Sequence, residues 1–112
     1  MHATANIRER SARQYAVLWS ASGGAGSGRL EVHPDRFELS GKSAVLTVPF
    51  DDVADAHIAR GAGDRLSGLP VLSLRRRDGE GVRIASLEGT GALYEIARLV
   101  EGGGPPLRAS GT

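Results

Sequence analysis

The residues best suited to chemistry are arginines in the segment 75–83, RRRDGEGVR. A guanidinium group offers paired N–H donors that match a carboxylate or a phosphate, so arginines gathered on one face could bind an anionic partner. Asp78-Gly79 lies between two alternating apolar runs, and glycine adopts the left-handed backbone that short hairpin loops need. The segment is therefore predicted to be a β-hairpin that presents arginines.

The apolar residues of this hairpin limit its register. The apolar side chains of both strands must share one face, and one register that meets this condition pairs Leu74 with Val82. That pairing leaves 77–79 as a three-residue loop with its glycine in the left-handed position. It also places Arg76 opposite Glu80, where we expect an ion pair at the rim of the sheet.

Either register that this parity allows gathers arginines on the outer face of the hairpin. Their stems could simply cover apolar surface while the charged groups stay in water. The alternative is an anionic partner, either an acidic protein or anionic lipid headgroups. The residues predicted to bind it are Arg75, Arg77 and Arg83, with Arg29 from an earlier strand.

Acid–base chemistry has one candidate group. Asp51, Asp52 and His57 are the residues that an enzyme would use if they met at the mouth of a barrel. The aspartates, with Asp55, could also hold a cation, but solvation of the bend that follows Pro49 is the favoured interpretation. The sequence offers them no nucleophile, so we expect a non-enzymatic protein with no catalytic residues.

Metal and cofactor chemistry has weaker support. His2, His33 and His57 are scattered and lack the converging spacing of metal ligands. With zero cysteines there is no thiolate site, disulfide or cysteine nucleophile. The glycine-rich segment 23–28 is followed by a strand rather than by the helix that a phosphate-binding loop needs. It is predicted to be a flexible hairpin loop, and we expect neither a metal nor a cofactor.

Length and composition set the scale of the protein. The 112 residues suit one domain, and 14 basic against 13 acidic residues give a net charge of +1. This balance does not favour a nucleic-acid partner. Without a secretory signal or a long apolar run, a cytoplasmic protein is expected. We predict a flexible leader at 1–14, a folded domain at 15–101, and a disordered tail rich in Gly, Pro and Ser at 102–112.

The folded domain reads as seven short strands and one helix. Short β-type runs separated by turn signals are typical of a small sandwich or barrel. Leu93, Ile96, Ala97 and Val100 then form one apolar stripe of a helix, with Thr90 as its N-cap and Gly102 in a left-handed position at its end. The predicted strands are 15–19, 29–33, 36–39, 44–50, 53–60, 69–76 and 82–87.

Seven strands followed by one C-terminal helix is the element order of the pleckstrin-homology-like (PH-like) barrel. The chain resembles the bacterial PH-like and GRAM-like branch in four segments: GRLEV at 28–32, VPFDDV at 48–53, LPVLSL at 69–74 and GALYEI at 91–96. The helix has Tyr94 and lacks the Trp that eukaryotic PH domains usually carry there. The resemblance implies a mainly β fold, an antiparallel PH-like barrel of about seven strands capped by the helix.

These observations favour a binding or docking module. The first expectation is a protein partner, bound at the edge of strand four or five or in the groove beside the helix. Peripheral binding of anionic lipid through Arg75, Arg77 and Arg83 is the alternative. Weak self-association through the strand edges stays open.

Overall fold

The computed structural model describes residues 13–22, 24–42 and 44–102, and these form seven β-strands and one α-helix. Short 3₁₀ turns at Phe50–Asp52 and Ala62–Asp64 lie before and after the fifth strand. The elements are β1 (Arg13–Ala21), β2 (Gly24–Val32), β3 (Arg36–Ser40), β4 (Val45–Pro49), β5 (Val53–Ala59), β6 (Val71–Arg76), β7 (Gly81–Ser86) and α1 (Thr90–Glu101).

The seven strands form one antiparallel sheet with the order β4-β3-β2-β1-β7-β6-β5. The sheet curls into a half-barrel, and α1 packs against β5, β6 and β7. The predicted fold class, mainly β with one C-terminal helix, is confirmed. β4 and β5 are the two edges of the sheet, and the turn at Phe50–Asp52 connects them in the chain.

The core lies between the concave face of the sheet and the helix. All four residues of the predicted helical stripe are buried, and Leu99 is buried with them. Alternate residues of the strands supply the rest, as the period-2 pattern requires. Among the largest fully buried side chains are Phe37, Leu30, Leu39, Leu72, Ile84, Leu93 and Ile96.

Residues 24–28 of the glycine-rich segment do not form a flexible loop, and that prediction was wrong for them. Gly24–Val32 forms β2, so most of the segment pairs with β1. The concave face of β2 needs small residues there, because Trp19 lies opposite Gly26 and is only 3% exposed. A Cβ atom on Gly28 would lie 1.6 Å from the backbone oxygen of Ser40, which leaves no room for a side chain.

The helix ends also differ from their predicted form. Thr90 is the first residue of α1, and Gly89 precedes it with a φ of 105° and no side-chain cap. Glycine is required there because that backbone conformation strains other residues. Gly102 has a φ of −87°, so it is not left-handed, although its N–H does bond to the carbonyl of Arg98 at 3.0 Å.

The predicted leader and tail, 1–14 and 102–112, lie largely outside the described residues. At their inner ends, Arg13 and Gln14 belong to β1, and Gly102 closes the helix. Within the described part of the chain, no helix combines the length and apolar character needed to span a bilayer.

Candidate functional site

The hairpin of β6 and β7 has the predicted register. Leu74 pairs with Val82, and both side chains are buried. The N–H of Arg76 donates to the carbonyl of Glu80 at 2.8 Å, so residues 77–79 form the three-residue loop. Gly79 has a φ of 95°, the left-handed conformation that this loop requires.

The prediction of an ion pair between Arg76 and Glu80 was wrong. The Nε atom of Arg76 instead donates to Oδ2 of Asp52 at 2.6 Å, with 22% and 25% of the two side chains exposed. The turn Phe50–Asp52 lies against the hairpin, because the backbone N–H of Arg77 donates to the carbonyl of Asp52 at 2.9 Å. Asp52 therefore reaches Arg76 from a neighbouring element, while Glu80 stays exposed.

Only two of the four predicted arginines lie close together on the outer face. Arg75 and Arg83 are diagonal neighbours, since Arg83 pairs with Ser73 two residues before Arg75. The side chain of Arg77 turns away, and its Nε donates to the carbonyl of Asp51 at 2.6 Å.

Arg29 lies far from this pair. It sits in β2 opposite Ala16, four residues along β1 from Ser20, which is opposite Arg83. Two strand spacings and four residues of rise separate Arg29 from Arg83 by about 16 Å. The four arginines therefore do not make one patch.

An acidic residue, Asp55, shares the outer face with Arg75. Asp55 of β5 pairs with Arg75 across the strands, and its Oδ2 lies 3.7 Å from Nδ1 of His57. His57 in turn pairs with Ser73. The surface near Arg75 is thus of mixed charge rather than strongly basic.

The side chains of the three candidates for acid–base chemistry do not bond to one another, and each residue has a different neighbour. Asp52 is held by Arg76, and the exposed His57 is close to Asp55. Asp51 is exposed, and its backbone carbonyl accepts the bond from Arg77.

A groove of about 590 Å³ runs beside α1, on the side where β1 begins. Three of its polar side chains, those of Arg13, Tyr94 and Glu95, contact one another or neighbouring residues. Glu95 accepts a hydrogen bond from the hydroxyl of Tyr15 at 3.0 Å and lies 3.7 Å from a guanidinium nitrogen of Arg13. Burial and this bond to Glu95 raise the pKa of Tyr15. Tyr94 is 45% exposed, with the guanidinium of Arg60 lying 5.5 Å from its ring centroid.

The two edges of the sheet differ in their protection. β5 carries a bulge between Val53 and Asp55, presents Asp55 and His57, and packs against α1. Bulges, charges and covering helices are the devices that keep an edge from pairing with another chain. β4, with the sequence VLTVP, has no charged residue and a regular ladder to β3.

The ladder from β3 to β4 shows which backbone groups of β4 point outward. Its ends are bonds from Gly41 N–H to the Ala44 carbonyl and from Phe50 N–H to the Asp35 carbonyl. Because antiparallel strands alternate between bonded and non-bonded pairs, the even-numbered residues 46 and 48 face β3. Val45 and Thr47 therefore direct their N–H and C=O groups away from the sheet. The described residues provide no strand that pairs with this side, and the Val45 residue is 70% exposed.

One further group was absent from the sequence predictions. Glu31 and Glu38 pair across β2 and β3, and His33 lies next to them on the same face of the sheet. One ligand atom of each residue lies within 4.8 Å of the other two. The signal was present in the sequence, since the turn at Pro34-Asp35 fixes the register that places the glutamates opposite each other. Spacing along the chain, taken without that pairing, did not show the convergence.

No protein-family model and no curated protein matches the chain. Among solved structures, it is similar to the crystal structure of the C-terminal domain of an unknown protein from Leishmania infantum. The TM-score is 0.59 at 11% sequence identity, and the alignment covers 80% of this chain and 82% of that one. The likeness is one of fold.

Proposed function

We propose that this domain is a non-enzymatic binding module that takes an extended segment of a partner protein as an additional strand on β4. Its element order also supports assignment as a bacterial PH-like domain, a fold that serves as a scaffold for binding surfaces. The observation that carries the proposal is the contrast between the edges: β5 is bulged, charged and packed against the helix, whereas β4 is regular and uncharged.

An unprotected edge strand is a template for another strand, because its outward N–H and C=O groups lack partners. In β4 these groups belong to Val45 and Thr47, with the carbonyl of Pro49 continuing the row. Pro49 has no N–H, so the pairing must end near it. The edge therefore offers a short ladder of main-chain bonds.

The side chains of β4 define the kind of segment that fits. Leu46 points to the concave face and packs against the core while remaining partly exposed, and Val48 beyond it is buried. Val45 and Thr47 point to the convex face. A partner strand should therefore carry an apolar residue beside Leu46, β-branched residues on its other face, and no proline where it pairs.

A peptide selection tests the proposal. Random linear peptides displayed on phage would be selected against the full chain, and their affinities measured for Thr47→Pro and Thr47→Ala. Proline at this position removes an outward N–H and leaves the ladder to β3 complete, whereas alanine keeps the N–H. Thermal unfolding would verify that both variants fold.

The proposal requires peptides that lose at least about tenfold in affinity with Thr47→Pro and little with Thr47→Ala, since each main-chain bond contributes about 1 kcal/mol and the proline ring adds a clash. Bound peptide should also protect the amides of Val45 and Thr47 from hydrogen exchange. Selected peptides that bind Thr47→Pro as tightly as the wild type, or a selection that yields no edge-dependent peptide, would refute it.

A further inference from the structure

A second polar surface lies on the convex face of β2 and β3. Glu31 and Glu38 are directly opposite each other, and Gln14 of β1 and Thr47 of β4 extend the row on either side. Two carboxylates in directly opposed strand positions repel each other and destabilise the sheet. A cation placed between them would remove this cost.

His33 lies next to the two glutamates. Its N–H donates to the carbonyl of Arg36 at 2.8 Å, which closes the two-residue turn at Pro34-Asp35 and holds the imidazole on the convex face. Nε2 of His33 is 3.5 Å from Oε1 of Glu31. This nitrogen is buried and has no hydrogen-bond partner among the described residues. Buried polar atoms normally have partners, so its position calls for one.

We propose that Glu31, His33 and Glu38 form a binding site for a divalent transition-metal ion, with Zn²⁺ the best fit. Imidazole together with carboxylates suits zinc and its neighbours rather than magnesium or calcium, which prefer oxygen ligands alone. The ion would give the buried Nε2 its missing partner and neutralise the opposed carboxylates.

The present distances are close to those of a coordinated ion. Ligand atoms about 2.1 Å from a tetrahedral zinc ion lie about 3.4 Å from one another. The separation of 3.5 Å between His33 and Glu31 already matches this value. All three ligand atoms lie within 4.8 Å, so a small rotation of the Glu38 side chain completes the set. With three protein ligands, the fourth coordination position of a tetrahedral zinc ion would be open to water or to a further ligand.

Arg36 competes with the ion for Glu38. Its Nε is 3.5 Å from Oε2 of Glu38, and its Nη1 bonds to Oδ1 of Asp35 at 2.8 Å. Gln14 likewise donates a long bond of 3.4 Å to Oε2 of Glu31, which leaves Oε1 free to face His33. Removing the guanidinium of Arg36 should therefore strengthen metal binding. The site does not depend on the function proposed for β4.

Calorimetric titration of the full chain with ZnCl₂ tests the site. The wild type should bind one ion, and His33→Ala should lower the affinity by at least about tenfold, because second-layer changes alone cost that much. Glu31→Gln and Glu38→Gln should weaken binding as well, while Arg36→Ala should tighten it. The matched control is the double variant His2→Ala/His57→Ala, which removes the other two histidines and should bind as the wild type does.

A second readout covers variants that fold poorly. The ¹⁵N resonance of Nε2 in His33 of the wild-type protein should shift on addition of zinc, with no equal change at His57. Absence of zinc binding by the wild type would overturn the proposal. So would a His33→Ala protein that binds as tightly as the wild type, or loss of binding confined to the His2→Ala/His57→Ala control.

Discussion

The indole N–H of Trp19 in β1 donates a hydrogen bond to the backbone carbonyl of Ser40 at the end of β3, at 3.2 Å. The bond spans β2, which lies between these two strands. It can form because β2 has glycine at the concave positions nearest Trp19, so the ring lies across a surface without side chains. The glycine-rich strand and the single tryptophan are thus parts of one packing arrangement.

Gly28→Ala should destabilise the domain by about 3 kcal/mol, because its Cβ would overlap the carbonyl oxygen of Ser40 and force β2 and β3 apart. Gly81→Ala is the matched control: it also lies in a strand, and a Cβ there meets no atom within 4 Å. Its effect should stay within about 0.5 kcal/mol. Urea unfolding followed by tryptophan fluorescence measures both. Equal stability of the two variants would show that β2 and β3 are not in close contact at Gly28.

The ion pair between Asp52 and Arg76 should join the turn at Phe50–Asp52 to the hairpin of β6 and β7. Both side chains are about three-quarters buried, so we expect a coupling free energy of about 1 kcal/mol. A double-mutant cycle with Asp52→Asn and Arg76→Gln measures it. Glu80→Gln serves as the control. The backbone carbonyl of Glu80 accepts a hydrogen bond from Arg76, but the side chain of Arg76 pairs with Asp52 instead of Glu80. Coupling of Arg76 to Glu80 instead of Asp52 would contradict the structure.

Tyr15 should lose its proton at a higher pH than an ordinary tyrosine does. Burial and the hydrogen bond to Glu95 hold its pKa above the ordinary value of 10.0, so the folded protein binds this proton more tightly than the unfolded chain does. The stability that the proton provides is complete below about pH 10 and is lost as the pH rises through the folded-state pKa. Tyrosinate absorbance should show a late transition that disappears in Tyr15→Phe and moves to lower pH in Glu95→Gln. A Tyr15 transition at or below the ordinary pKa would show that the hydroxyl is not held as described.

Anionic lipid should not retain the protein at physiological salt. Arg75 and Arg83 form the arginine pair, but Asp55 lies opposite Arg75 and the net charge is only +1. Surface attraction of this size is largely screened. Co-sedimentation should be equal with phosphatidylcholine vesicles and with vesicles that also contain phosphatidylserine. Retention that requires phosphatidylserine and is lost in Arg75→Glu/Arg83→Glu would establish the lipid alternative.

Much of the fold was predictable because the spacing of apolar residues determines it: every second residue in a strand, and a 3.6-residue period in the helix. The alternation of Leu72 and Leu74 with Val82 and Ile84 permits few registers, and the loop at 77–79 selects the observed one. The stripe of α1 follows in the same way from its period. Each of these inferences depends on residues that are near one another in the chain.

The features that were not predicted depend on packing between distant segments. Gly24–Gly28 reads as a loop until Trp19 is known to lie against it, since a glycine run has no strand preference of its own. Arg76 lies opposite Glu80 in its hairpin, yet its side chain pairs with Asp52, which lies in a turn 24 residues earlier in the chain. The grouping of His33 with Glu31 and Glu38 required the β2–β3 register rather than the spacing of histidines.

Amide hydrogen exchange along β4, followed by NMR on the full chain, distinguishes an open β4 edge from a paired one. The amides of Leu46 and Val48 bond to β3 and should exchange slowly, whereas those of Val45 and Thr47 point out of the sheet and should exchange quickly. This alternation would establish β4 as an open edge that can receive a partner strand. Slow exchange at Val45 and Thr47 in the isolated, monomeric protein would mean that the edge is already paired and that β4 cannot receive a partner strand.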